Sequence, residues 1–217
     1  GVHQPGGAVP GDQQRPGGPH PHRRRARPAS GSRRKTAPEP ARLARIVEQR
    51  GLDLEAILVT HGHFDHVEGV KGLADATEAM VYCSAPVMPI VAGDRGCPAS
   101  GYPIAAVDPL RVKAVSDGSQ FTVGTLRVKV IATPGHTPGD LTYDIEGCLF
   151  CGDLLFHRSV GRTDFPGGDF SQLLASVGRL LSLYDGTTPV YPGHMQPTTL
   201  GEEASFNPFL SGLGRRA

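Results

Sequence analysis

The chain has 217 residues and 38% hydrophobic content, enough for the core of one globular domain. No run approaches the ~18 uninterrupted apolar residues of a membrane-spanning helix, which speaks against an integral membrane protein. The formal net charge of +1 averages two unlike pieces. Residues 1–40 carry eight Lys/Arg, two acidic residues, eight Pro and seven Gly, with no Leu, Ile, Met, Phe, Tyr or Cys, whereas residues 41–217 carry 14 basic and 19 acidic residues, a net of −5.

The basic segment has no apolar stretch of the kind a secretory signal needs. Its Arg-rich runs, His22–Arg27 and Arg33–Lys35, would suit a transit peptide or a nucleic-acid arm. Pro and Gly throughout forbid an amphipathic helix, and no aromatic ring is present to stack on bases. The composition is that of a disordered, low-complexity leader, and neither a nucleic acid nor a membrane is expected as partner. Four cysteines in a chain this long are no disulfide framework. Cys148 and Cys151 lie three apart in a strand-like run, which puts their thiols on opposite faces. Small buried thiols in a reducing cytoplasm are the expectation.

Ordered sequence is expected from Ala41 onward. Leu43, Ile46 and Val47 give helical spacing over 41–50, stopped by Gly51. Ala56–Thr60 reads as a buried strand, and a helix is predicted from about Asp65 to Ala74. A strand follows over 79–83, with Ser84 as the cap of a short helix at 86–91. Residues 93–109 read as loop, and 111–133 as β structure with breaks at Asp117-Gly118 and Gly124. Leu141–Ile145 and Cys148–Gly152 flank Glu146-Gly147, a hairpin signal. Residues 170–184 form the strongest amphipathic helix, followed by a strand at 188–191 and a short helical C-terminus.

The chemistry lies at strand exits. His61, His63, Asp65 and His66 offer four ligand-type side chains within six residues, directly after a buried strand. A tight loop there aims alternate residues at one point, and imidazoles with a carboxylate suit Zn²⁺ and similar borderline ions. Three later strands end in the same manner, at His136 between two Pro-Gly breaks, at Asp153 after Cys-Gly, and at His194 after Pro-Gly. Seven ligand-type residues at four strand ends suit two metals, each keeping a position for water or substrate.

The motifs T-H-G-H-F-D-H, P-G-H-T-P-G, C-G-D and P-G-H, in that order, resemble those of the metallo-β-lactamase-fold hydrolase superfamily. Residues 159–165 (S-V-G-R-T-D-F), 191–194 (Y-P-G-H) and 207–210 (N-P-F-L) are similar to its short glyoxalase II-like branch, the hydroxyacylglutathione hydrolases. The likeness covers roughly residues 41–210. It implies an α+β fold, an αββα sandwich. It also implies a first metal site of His61, His63 and His136, and a second of Asp65, His66 and His194, with Asp153 bridging. Asp65 is thereby also placed in the catalytic machinery. By the same resemblance Arg162 would meet the carboxylate of a small thioester substrate, for which its forked geometry is suited, with a loop-bracing pair to Asp164 as the alternative. His157 matches no ligand position. The cofactor expected is two Zn per chain, with Fe or Mn as substitutes.

The family's sandwich opens with two or three strands ahead of the helix at 41–50. Residues 1–40 contain two Val and no larger aliphatic or aromatic residue. The expectation is a domain at 41–217 lacking its first strands, behind a leader that is disordered or mistranslated. The leading function is a thioester hydrolase whose nucleophile is a metal-bridging hydroxide. The alternatives are a mononuclear iron enzyme of the persulfide dioxygenase type, needing only His61, His136 and Asp153, and a non-catalytic remnant of the hydrolase fold. Oligomeric state has no signature in the sequence.

Overall fold

A computed structural model describes residues 40–211 of the chain. The leader at 1–39 and the last six residues lie outside the described residues, and so does the expectation of missing first strands. Helix α1, Pro40–Gln49, turns Leu43, Ile46 and Val47 to one half-buried face and ends at Gly51 with φ +60°. Strand β1, Ala56–Leu58, leads into α2, Phe64–Val67, and α3, Val70–Thr77. One helix was expected over 65–74. The break falls at Glu68-Gly69, where the residue without a side chain weakens helical continuity.

Strand β2, Met80–Cys83, precedes α4, Met88–Val91. Ser84 does not cap that helix, because its hydroxyl donates to the Gly139 carbonyl at 2.7 Å and ties two loops together. The β region resolves into β3, Val112–Ala114, β4, Gln120–Val123, and β5, Leu126–Ala132. The expected hairpin is β6, Leu141–Ile145, with β7, Cys148–Gly152. Two further short strands, β8 at Leu155–Phe156 and β9 at Ser159–Val160, make a small hairpin that no turn signal announced. Helix α5, Phe170–Leu183, is capped by Asp169, whose carboxylate accepts from the Gln172 amide. Strands β10, Pro189–Pro192, and β11, Thr198–Thr199, lead into α6, Leu200–Phe206.

The strands form two main sheets. The first is parallel, in the order β1-β2-β3. The second runs β11-β10-β7-β6-β5-β4, antiparallel except where β10 meets β7. Period-two alternation sorts their side chains into layers. On the outside of the first sheet, Val59, Val81 and Cys83 pack with Val67, Val70, Ala74, Ile90 and Val91 of the helices. Between the sheets lie Leu58, Val128, Val130, Leu141 and Tyr143, with Tyr82 stacked on Phe121 at 4.3 Å. On the outside of the second sheet, Ile131, Leu149 and Cys151 meet Leu173, Val177 and Leu180 of α5 and Leu200 of α6. The layers are therefore helix, sheet, sheet, helix, the expected αββα sandwich.

The three-stranded sheet stops over β6, where the Tyr143 hydroxyl donates to the Val59 carbonyl at 2.9 Å. One and two strands further out, Phe150 and Tyr191 stack at 5.0 Å with each 39% exposed, an apolar step on the inner face. All four cysteines are free thiols. Cys151 is buried, and burial pushes its thiol up to about 12, while Cys148 is half-buried on the opposite face. Among the described residues no helix is long and apolar enough to cross a membrane.

Candidate metal centre

The loops that follow β1, β5, β7 and β10 meet at one edge of the sandwich. After β1 the chain stays extended through His63 (φ −69°, ψ 149°), and His61 and His63 are buried. Helix α2 then begins, which sets Asp65 and His66 side by side on its first turn. His136 is buried in the loop after β5. That loop is held by Asp140, which is also buried and accepts from the Thr137 amide at 2.6 Å and from the Thr137 hydroxyl. Asp153 follows β7, and half-exposed His194 follows β10.

All seven side chains expected as ligands come together. Their ligand atoms form three overlapping groups, each within 4.8 Å, namely His61–His63–His136, His61–His66–Asp153 and Asp65–His66–His194. His136 Nε2 stands 2.8 Å from His63 Nδ1. Asp153 lies between the groups, with Oδ1 3.4 Å from His66 Nε2, and Oδ2 3.6 Å from His136 Nε2 and 3.4 Å from His194 Nε2. Asp65 Oδ2 is 3.2 Å from His194 Nε2 and 3.8 Å from His66 Nε2.

Four buried atoms in this cluster have no hydrogen-bond partner: His61 Nε2, His63 Nε2, His66 Nε2 and Asp153 Oδ1. Each such atom costs about 1–3 kcal/mol, so four together fit a site that holds something not made of protein. The imidazole-rich donor set with shared carboxylates suits Zn²⁺ or Fe²⁺. The outward nitrogens agree. His136 Nδ1 donates to the Arg162 carbonyl at 2.6 Å, and His61 Nδ1 sits 3.2 Å from the Thr60 hydroxyl. The carbonyl fixes His136 with its Nε2 lone pair facing inward, and the Thr60 hydroxyl can accept from His61 Nδ1 to give the same tautomer there.

Charge within the cluster is uneven. Burial, and then the neighbouring imidazoles led by His66, holds His61 well below the usual histidine range. Burial with His136 beside it brings His63 down to about 4. His66 goes the other way, because the Asp153 carboxylate, with Asp65 and Asp140, outweighs its burial and raises it. Burial alone would raise Asp153, but His66 and then His194 and His136 keep it below the ordinary carboxylate value. The metal-free site thus disfavours protonation of His61 and His63 and favours it at His66, beside the Asp153 carboxylate.

A close approach explains the glycine of the last motif. A Cβ on Gly193 would lie 2.5 Å from Asp153 Oδ1 and 2.7 Å from His66 Cε1, so only glycine lets β10 deliver His194 beside those two ligands. Arg162 lies at the rim rather than among the ligands. Its Nε and one terminal nitrogen bond the two Asp164 oxygens at 2.7 and 2.6 Å, and its guanidinium stacks 3.7 Å over the Phe165 ring. That ring is edge-on to His63 at 5.6 Å. The Arg162 guanidinium beside Asp164 holds its carboxyl down to about 2, so half of the arginine fork is already taken. His157 lies outside the ligand groups, 3.6 Å from the buried Glu203 carboxylate.

The sequence model of the metallo-beta-lactamase superfamily matches residues 18–194, which include all seven of these side chains. The chain belongs to the metallo-beta-lactamase superfamily. Within that superfamily of metallo-hydrolases, it is 30% identical over 178 residues to hydroxyacylglutathione hydrolase GloC of Haemophilus influenzae, covering 80% of this chain and 84% of that protein. Among solved structures it is similar to the BLEG-1 B3 metallo-beta-lactamase, at 35% identity and TM-score 0.72, with 80% of this chain and 85% of that one covered. It is also similar to TTHA1623 in a di-iron-bound form, at 40% identity and TM-score 0.67, with 80% and 86% covered.

Sequence reasoning gave no role to four residues that brace this site. Thr60 and Asn207 lie inside quoted motifs, but their contacts with His61 Nδ1 and with Glu203 and the Ser159 carbonyl have no local signature. Asp140 and Glu203 carry no motif, and Glu203 reads as an ordinary helix residue.

Proposed function

We propose that the chain is a dinuclear metal-dependent hydrolase of small thioesters. The observation that carries the reading is the convergence of seven side chains from four strand exits on four unpartnered buried atoms. His61, His63 and His136 would hold one cation, and Asp65, His66 and His194 the other, with Asp153 between them. Two divalent cations in this ligand set supply Lewis acidity and a water whose pKa falls toward neutrality. The similarity to TTHA1623 in a di-iron-bound form supports a two-metal site with iron as well as zinc within its range.

The protein's own groups account for the remaining steps. Asp65 is half exposed at the mouth, where Oδ2 can take a proton from the attacking water and return one to the leaving thiolate. The Asp153 carboxylate, 3.4 Å from both His66 and His194, supplies negative charge against the cations that the surrounding imidazoles would hold. Arg162, stacked on Phe165, presents the part of its guanidinium that Asp164 leaves free to an anionic group on the substrate. The similarity to hydroxyacylglutathione hydrolase GloC supports a thioester of glutathione type as that substrate. Four free thiols suit a reducing, cytoplasmic setting. A mononuclear iron enzyme would use only His61, His136 and Asp153 and would leave His63, Asp65, His66 and His194 without a task.

The test is hydrolysis of an acyl-glutathione by metal-loaded protein, run beside a neutral thioester and a β-lactam. The proposal expects thioester turnover that Asp153→Ala lowers by at least 100-fold. Full turnover by that variant, or β-lactam turnover with none on either thioester, would overturn it.

A further inference from the structure

Glu203 is a carboxylate with no exposed surface, and it belongs to none of the ligand groups. A charge so placed is tolerated only when its oxygens are fully occupied. Oε1 accepts from the Thr198 hydroxyl at 2.6 Å, and Oε2 accepts from the Arg158 backbone amide and from Asn207 Nδ2, both at 2.8 Å. Asn207 is itself 3% exposed, and its Nδ2 also donates to the Ser159 carbonyl at 2.9 Å. Its Oδ1 accepts from the Phe209 amide at 3.0 Å, closing the turn of the Asn-Pro-Phe-Leu motif. The two side chains thus grip the β8–β9 hairpin from both sides of its tip.

That tip needs holding. Arg158 occupies the left-handed region at φ +58°, which costs a non-glycine residue on the order of 1 kcal/mol. Its amide is pinned by Glu203, and its guanidinium reaches the Glu202 carbonyl at 2.7 Å. The hairpin then returns to the metal centre. Leu155 pairs with Val160, and the Gly161 amide donates to the Leu154 carbonyl at 3.3 Å. A Cβ on Gly161 would lie 1.7 Å from the Asp153 carbonyl oxygen and 3.3 Å from His136 Nδ1, so backbone packs directly on backbone. The next carbonyl, that of Arg162, is the acceptor for His136 Nδ1. The segment starts at one ligand, Asp153, and ends beneath another, His136, with Glu203 and Asn207 fixing its far end.

We infer that Glu203 and Asn207 are positioning residues for the metal centre, acting through the 155–162 hairpin on His136. The Arg162 carbonyl selects the His136 tautomer and ring orientation, and the clamp sets where that carbonyl stands. The inference rests on the metal-binding reading above. Outer hydrogen bonds of this kind are typically worth 10–100-fold in metal affinity.

The test uses the full chain and Co²⁺ as the probe. Glu203→Gln and Asn207→Ala should each weaken Co²⁺ binding about 10–100-fold and alter the cobalt visible absorption. In the metal-free protein, both should broaden the His136 Nδ1–H resonance, a signal that general destabilisation would not single out. Arg158→Gly keeps the backbone amide that donates to Glu203 and removes the side chain, with its bonds to Glu202 and its looser 4.0 Å approach to Glu203, so it should retain wild-type Co²⁺ affinity and signal. Folded Glu203→Gln and Asn207→Ala proteins with unchanged affinity and resonance would overturn the inference. If either variant melts below the assay temperature, hydrogen exchange on the wild type decides. The account expects the Arg158 amide and His136 Nδ1–H to be protected together, and free exchange at His136 beside a protected Arg158 overturns it. A wild-type protein that takes up no Co²⁺ overturns the metal reading itself, and the inference with it.

Discussion

Placing alanine at Gly193 asks one methyl group to occupy space that two ligands already use. The new carbon would sit 2.5 Å from Asp153 Oδ1 and 2.7 Å from His66 Cε1, against an ordinary contact of about 3.5–4 Å. Relief requires a movement of roughly 1 Å by β10, by Asp153 or by His66. Overpacking of this size costs about 1–3 kcal/mol when the whole fold absorbs it. The cheaper route here is through the ligands, because both are side chains beside a half-exposed loop. Gly193→Ala should therefore lose metal affinity by about 10–100-fold while unfolding at nearly the wild-type temperature in the metal-free state. Chelator competition measures the first quantity and a thermal melt without metal the second. Unchanged metal affinity, with or without a fall in melting temperature, would refute the reasoning.

Other perturbations separate the roles of neighbouring groups. His63 is held near 4 against an ordinary 6.5, so the unfolded chain binds its proton first, and the stability this histidine contributes is lost as pH falls from about 6.5 towards 4. A never-charged His63→Gln variant lacks that loss, so the metal-free wild type should give up about 3 kcal/mol relative to it across this window, read from paired denaturant titrations. A stability difference that stays constant with pH would contradict this. Arg162→Ala keeps its carbonyl on His136 but removes the rim cation, so KM for an anionic thioester should rise about tenfold at low salt, with metal content and the KM of a neutral thioester unchanged.

The candidate ligand set was legible because metal chemistry restricts residue type and strand exits restrict position. His61, His63, Asp65 and His66 had to follow a buried run, Gly193 marks the point where backbone crowds Asp153 and His66, and Gly152 the point where it crowds Thr60. Helix and strand placement followed hydrophobic period, as in α5 and the β6–β7 hairpin. What escaped depends on contacts between distant segments. The Ser84 hydroxyl is a reasonable cap by local rules, yet the Gly139 carbonyl, 55 residues on, competes successfully for it. The β8–β9 turn is His157-Arg158, which carries no turn chemistry and stands because Glu203 holds it from outside. Glu203 itself resembles any acidic residue in the first turn of a helix, where the dipole favours it. The contact of the Arg162 carbonyl with His136 has no signature at all, since every residue has a carbonyl. For Arg162 the sequence offered a substrate contact or a pair with Asp164, and the structure shows its fork on Asp164.

Metal stoichiometry measured by elemental analysis after purification without chelators tests the central claim most directly. The account predicts close to two zinc or iron ions per chain in the wild type. It predicts about one in His194→Ala, which should keep the buried His61–His63–His136 group, and fewer than one in His61→Ala, since His61 belongs to two of the three ligand groups. A wild type that holds no more metal than the His61→Ala variant would contradict it.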